Sequence, residues 1–155
     1  MSKMRRVFLL VSLVGLATPP MSWAQDRGTP DDAKAMVAQA LEHIKKVGME
    51  QAFKDFNEDK ANWVKKDVYM FAITMKGHQA VHGVNPKMIG KDVWEVRDAN
   101  GKAFFQDFSA VAAKGGGWVE YEWAHPQTKK IETKQSYVVR VPNTDYYIGA
   151  GAYKK

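Results

Sequence analysis

The chain has 155 residues, room for one domain, and a formal charge of +6. Setting aside Lys3, Arg5 and Arg6 of an expected leader leaves 20 Lys and Arg against 17 Asp and Glu, a net of +3 that is too mild to argue for nucleic acid, and no basic cluster is interleaved with aromatics. The lack of cysteine excludes disulfides, thiol nucleophiles and cysteine-ligated zinc or iron–sulfur sites, while 45% hydrophobic residues are ample for a core.

Residues 1–24 have the three parts of a secretory signal: a basic start, an apolar run from Val7 to Ala17, and the small residues Ser22 and Ala24 at a cleavage site. The run is short of the roughly 20 residues that span a bilayer, and Pro19 and Pro20 break its continuation. The expectation is a signal peptide over 1–24 and a single domain over 25–155, exported to the periplasm; an uncleaved anchor is the alternative. No second apolar stretch is present in the sequence.

Thr29, Pro30, Asp31 and Asp32 predict a helix start, with a hydroxyl cap, a proline in the first turn and negative charge at the positive end of the dipole. Met36, Val37, Ala40, Leu41, Ile44 and Val47 then recur at three and four residues and form one apolar stripe. Gly48 interrupts it. A short second helix carries Ala52, Phe53 and Phe56 inward, and residues 57–62 read as a loop.

Asp67 to Met75 is apolar on both faces and predicts a strand buried on both sides. A turn at Lys76–His78 leads into a second strand, Gln79 to Val84, after which Asn85-Pro86 starts an irregular excursion. The excursion ends in a helix within 102–117, with Ala103, Phe104, Asp107, Phe108, Val111 and Ala112 on one face and glycines at its end.

From Gly117 the period is two. Val119, Tyr121, Trp123 and His125 alternate with Trp118, Glu120, Glu122 and Ala124, Pro126 stops the strand, and Gln127–Lys130 is a turn before a strand from Ile131 to Val141. A turn over residues 142–145 and a strand over 146–153 complete the set. The fold class is α+β: a long N-terminal helix packed on a five-stranded antiparallel sheet, with a helical and loop excursion between strands 2 and 3.

Several short motifs stand in a particular order: Val81-His82 and Asn85-Pro86, Ile89-Gly90-Lys91-Asp92, Asp98-Ala99-Asn100-Gly101-Lys102, Gly117-Trp118 with Tyr121-x-Trp123, Lys134-x-x-Tyr137, and the closing Asp145–Tyr153 run. In this order the chain resembles the single Cache domain, a PAS-like extracytoplasmic sensor, and in particular its second subfamily. The resemblance covers nearly all of 31–154. It implies a small-molecule sensing module with the ligand between the sheet and the excursion. Such modules are usually the outer part of a receptor kinase or chemoreceptor, so a membrane receptor or sensor kinase is the implied signalling partner here.

The ligand-binding candidates are His82, Tyr121, Trp123, Lys134, Phe71, Trp94, Phe104 and Tyr137. The resemblance places a cavity beside His82, whose other reading is a hydrogen-bonded core histidine. Tyr121 and Trp123 are an aromatic wall for a ligand or ordinary core. Lys134 is the one cation set near the aromatic wall in an otherwise β-friendly strand, suited to a carboxylate. Tyr137, three residues on, falls on the opposite face unless a bulge intervenes. Phe71, Trp94, Phe104 and Phe105 are wall candidates with the same core alternative. No cofactor is expected, and His78 with His82 makes a weak metal pair without an acid. No nucleophile elbow or phosphate loop is present. The function expected is non-enzymatic binding or sensing of a small organic anion in the periplasm, with the signal passed to a separate protein. The alternative is an interaction module that docks a membrane receptor, or pairs as a homodimer, through its first helix.

Overall fold

A computed structural model describes residues 26–154; the signal peptide expected over 1–24 and its cleavage lie outside the described residues. Helix α1 (Pro30–Val47) starts at a capping box in which Thr29 Oγ1 accepts from the Asp32 amide and Asp32 accepts from the Thr29 amide. The Asp32 carboxyl is held at about 2, first by its hydrogen bond with Lys65 and then by the Thr29 amide. At the other end Gly48 has φ 83°, which ends the helix and turns the chain into α2 (Met49–Glu58).

The apolar stripe of α1 lies on the sheet. Ala33, Met36, Val37 and Ala40 are buried, Leu41 and Ile44 are partly buried against the same core, and Val47 at the last turn is exposed. The stretch 57–62, expected as a loop, instead contains the end of α2 and a further turn, α3 (Lys60–Trp63). Asp59 caps it through the Asn62 amide, and Trp63 packs edge-on against Phe56 with ring centroids 4.4 Å apart.

A two-residue strand, β1 (Val64–Lys65), precedes β2 (Val68–Thr74) and pairs with its first residues. It makes the sheet six-stranded, one more than the five expected. Strand β3 (Gln79–His82) also pairs with β2, further along the same edge. It ends two residues earlier than expected: the Gly83 amide still donates to the Met70 carbonyl, but the chain turns there and the Asn85 amide folds back to donate to His82 Nδ1.

The excursion carries a 3-10 turn (Pro86–Met88) and α4 (Phe104–Ala113). The buried face of α4 is Phe104, Phe105, Phe108, Ser109 and Ala112. This is a small rotation from the predicted face, with Asp107 turned out to Lys102 instead. Strands β4 (Gly117–Ala124), β5 (Ile131–Arg140) and β6 (Tyr146–Tyr153) follow.

All pairs are antiparallel and the order is β1-β2-β6-β5-β4, with β3 beside β2. This sheet has a core on each face. On one, α1 and α2 cover Met70, Ala72, Ile148 and Ala150; on the other, α4 covers Phe71, Ile73, Val119, Tyr121, Val138 and Tyr147. The candidate site lies on the second face.

Candidate functional site

Register decides which side chains meet. Lys134 is paired with Tyr121 on one side and Tyr153 on the other, and Ser136 with Val119 and Gly151, so all of these face α4. From β2 the same parity brings Tyr69, Phe71 and Ile73, and from β3 it brings Gln79 and His82, which pair with Ile73 and Phe71. Helix α4 closes the site with Phe104 stacked on Tyr121, centroids 4.4 Å apart and rings inclined by 7°.

What remains between them is a cavity of about 20 Å3, lined by Tyr69, Phe71, Gln79, His82, Phe104 and Tyr121, with Trp123, Ile73, Phe105 and Phe108 completing the wall. It is large enough for one water. Tyr69, His82 and Trp123 also border an outer hollow of about 360 Å3, between the Val84–Lys87 segment and the Ala124–Lys129 turn.

Lys134 is fully buried, and its Nζ has no hydrogen-bond partner among the described residues. The ammonium lies 3.8 Å from the Tyr69 ring centroid and 4.9 Å from that of Tyr153. Lys134 is not itself on the cavity surface; the Tyr69 ring under its ammonium is. Two cation–π contacts give about 2 kcal/mol each at best when desolvated, against a burial cost of several kcal/mol for the ion. The ammonium is therefore short of an anion. Gly151 makes the room: a Cβ there would meet Lys134 Cε at 2.8 Å.

His82 stacks on Tyr69 at 5.1 Å, and its Nδ1 accepts from the Asn85 amide at 3.1 Å, so in the neutral ring Nε2 carries the proton. Burial, and secondarily the Lys134 charge, push its pKa down to about 3. It is thus a neutral N–H donor at ordinary pH. The Tyr121 hydroxyl shares a hydrogen bond of 3.0 Å with Ser136 Oγ, and burial raises its pKa well above the ordinary phenol value. Gln79 Oε1 and Tyr147 OH are two further buried polar atoms without a partner. The arrangement offers donors and a cation in an apolar, aromatic setting.

Of the residues singled out from sequence, Phe71, His82, Phe104, Tyr121 and Trp123 line one cavity, with Lys134 in contact with its wall. Two do not join them. Tyr137 lies on the helix face of a regular β5, packed with the α1 core and under the Lys34 ammonium, because no bulge breaks the alternation. Trp94 sits against Gly77 at the β2–β3 turn, where its carbonyl accepts from Gln106. Tyr69, Gln79, Ser136 and Tyr153 were missed. Parity alone could have named two of them: Ser136 lies two residues from Lys134, and Tyr69 two from Phe71.

Beside the site, His125 is fully buried and bonds Asp67 through Nε2 at 3.2 Å, while its Nδ1 accepts from the Gln127 and Thr128 amides. Asp67 also accepts from the Gly28 amide at 2.6 Å, which ties the entry of the chain to the β4–β5 turn.

In sequence the chain is 27% identical over 146 residues to the sensor histidine kinase MctS of Rhizobium johnstonii, covering 93% of this chain and 28% of that protein. It is 30% identical over 88 residues to the methyl-accepting chemotaxis protein McpP of Pseudomonas putida, covering 56% of this chain and 16% of that one. The chain thus spans well under a third of the length of either relative. Its fold is similar to a methyl-accepting chemotaxis protein of Vibrio parahaemolyticus, with a TM-score of 0.71 at 24% identity over 79% of this chain and 86% of that one. A Cache chemosensory domain, solved for its carboxylic acid recognition, gives a TM-score of 0.67 at 24% identity over 81% and 92% of the two chains. Residues 22–155 match the family Single Cache domain 2, and the chain belongs to it.

Proposed function

We propose that this domain senses a short organic anion, a small carboxylate above all, outside the cytoplasm, and passes the signal to a separate protein. The observation that carries the reading is the fully buried Lys134 ammonium, beside an aromatic cavity and with no anionic or hydrogen-bonding partner among the described residues. Neutral His82 and the Tyr121 hydroxyl supply further donors next to it. A carboxylate is larger than the 20 Å3 void, so its entry takes in part of the outer hollow through movement of Tyr69, His82 or Trp123, which border both. The role is binding, not turnover. The expected leader over 1–24 puts the domain in the periplasm, and the relatives being a sensor kinase and a chemoreceptor makes a membrane receptor the class of partner to look for.

A thermal-shift screen of the purified protein against short carboxylates, amino acids, amines and purines tests it. A ligand at a hundredfold over its dissociation constant adds about 2.7 kcal/mol. The expected result is a rise in melting temperature with carboxylates and none with amines. A shift with amines or purines alone would overturn the anion reading.

A further inference from the structure

Gln79 is held rigidly at the cavity wall. Its backbone is fixed where β3 meets the excursion: the amide donates to the Lys91 carbonyl at 2.9 Å, and the carbonyl accepts from Gly90 at 2.8 Å. Its side chain is 3% exposed and lines the cavity. Nε2 donates to the Val81 carbonyl at 2.6 Å, and a flipped amide would set two acceptors against each other, so the orientation is determined. Oε1 is left buried and without a partner.

A buried acceptor left unmatched costs free energy that a suitable occupant recovers. The matching group is a hydrogen-bond donor, and its charge can be decided. None of the ten residues that line the cavity is acidic, and the nearby Lys134 charge already acts on His82. A ligand ammonium would therefore enter next to a cation with no counter-charge, whereas a neutral hydroxyl meets no such penalty.

We propose that Gln79 is a specificity-determining residue that accepts a hydrogen bond from a ligand hydroxyl, so that the cavity prefers short hydroxy-carboxylates to their unsubstituted parents. The inference rests on the carboxylate reading above. A site built to bond a hydroxyl discriminates against the analogue lacking it, because its own polar group is then stranded.

The test is calorimetric titration of the purified protein with propionate, 2-hydroxypropionate, 3-hydroxypropionate and 2-chloropropionate. The chloro acid adds bulk at the position of the 2-hydroxyl without a donor, so for that position the wild-type protein alone separates size from hydrogen bonding. At least one hydroxy acid is expected to bind about tenfold or more tightly than both propionate and the chloro acid, a ratio that collapses in Gln79→Met. Equal binding of propionate and both hydroxy acids, or an advantage shared by the chloro acid or kept in Gln79→Met, would overturn the role of Gln79 and leave the carboxylate reading standing. Failure of all four acids to bind would remove both.

Discussion

Lys134 and His82 show how one buried charge sets the chemistry of its surroundings. The ammonium rests on two aromatic rings, and part of the low pKa of His82, about 3, comes from that charge, after the larger effect of burial. Lys60 adds a smaller push in the same direction. In the unfolded chain His82 takes a proton near pH 6.5, while in the folded protein it stays neutral down to about 3. Between those values unfolding takes up a proton, so stability is complete above pH 6.5 and falls as the pH drops through the window, by up to about 1.4 kcal/mol per pH unit. Melting temperatures from pH 7 to 4 should therefore decline less steeply in His82→Gln than in the wild type; parallel curves would contradict the assignment. At this scale the sequence was partly legible. Lys134 stood out as the cation set within a β-friendly strand near the aromatic wall, but nothing in the residue order said that its partners would be Tyr69 and Tyr153, which lie far away along the chain.

The strands differ in how much of them could be read. In β4 the alternation of aromatic and acidic residues marks the faces, and the structure keeps that assignment: Val119 and Tyr121 are buried, and Glu120 is exposed. In β2 both faces are apolar because helices cover both, so a period of two carries no information, and Tyr69 could be assigned only by its parity with Phe71. The short α3 and β1 escaped because four and two residues are too few to show a period. Trp94 was placed by its size alone, and the excursion carried it to the β2–β3 turn. Gly149 in β6 carries no side chain, and its neighbours fill the space: a Cβ there would meet Phe71 Cε2 at 2.7 Å and the Tyr137 carbonyl oxygen at 2.9 Å. Gly149→Ala is accordingly expected to destabilise the protein by about 1–3 kcal/mol in denaturant unfolding. A loss below about 0.5 kcal/mol would mean that Phe71 is free to move away.

Across the whole molecule the site is joined to both ends of the described chain. The Tyr153 hydroxyl donates to the Ala124 carbonyl, Arg27 bonds both Glu132 and the Lys154 carbonyl, and Asp67 links Gly28 to His125. Strands β5 and β6, which carry Lys134 and Tyr153, thus also hold the segments through which the chain enters and leaves the sheet. The order of the longer elements was legible because caps, turns and periods marked them. The register that unites Lys134, Tyr69 and Gln79 was not, since it depends on pairings between distant strands. The buried ammonium of Lys134 is kept at a cost for an anion, and the most direct measurement is a paired one on Lys134→Met: its melting temperature without ligand, and its affinity for a short carboxylate that stabilises the wild type. Removing the unpaired charge should leave the melting temperature equal or higher, while affinity falls about thirtyfold or more, the loss expected when one partner of a buried charge pair is truncated. Affinity within about threefold of the wild type, in a variant that folds, would contradict it.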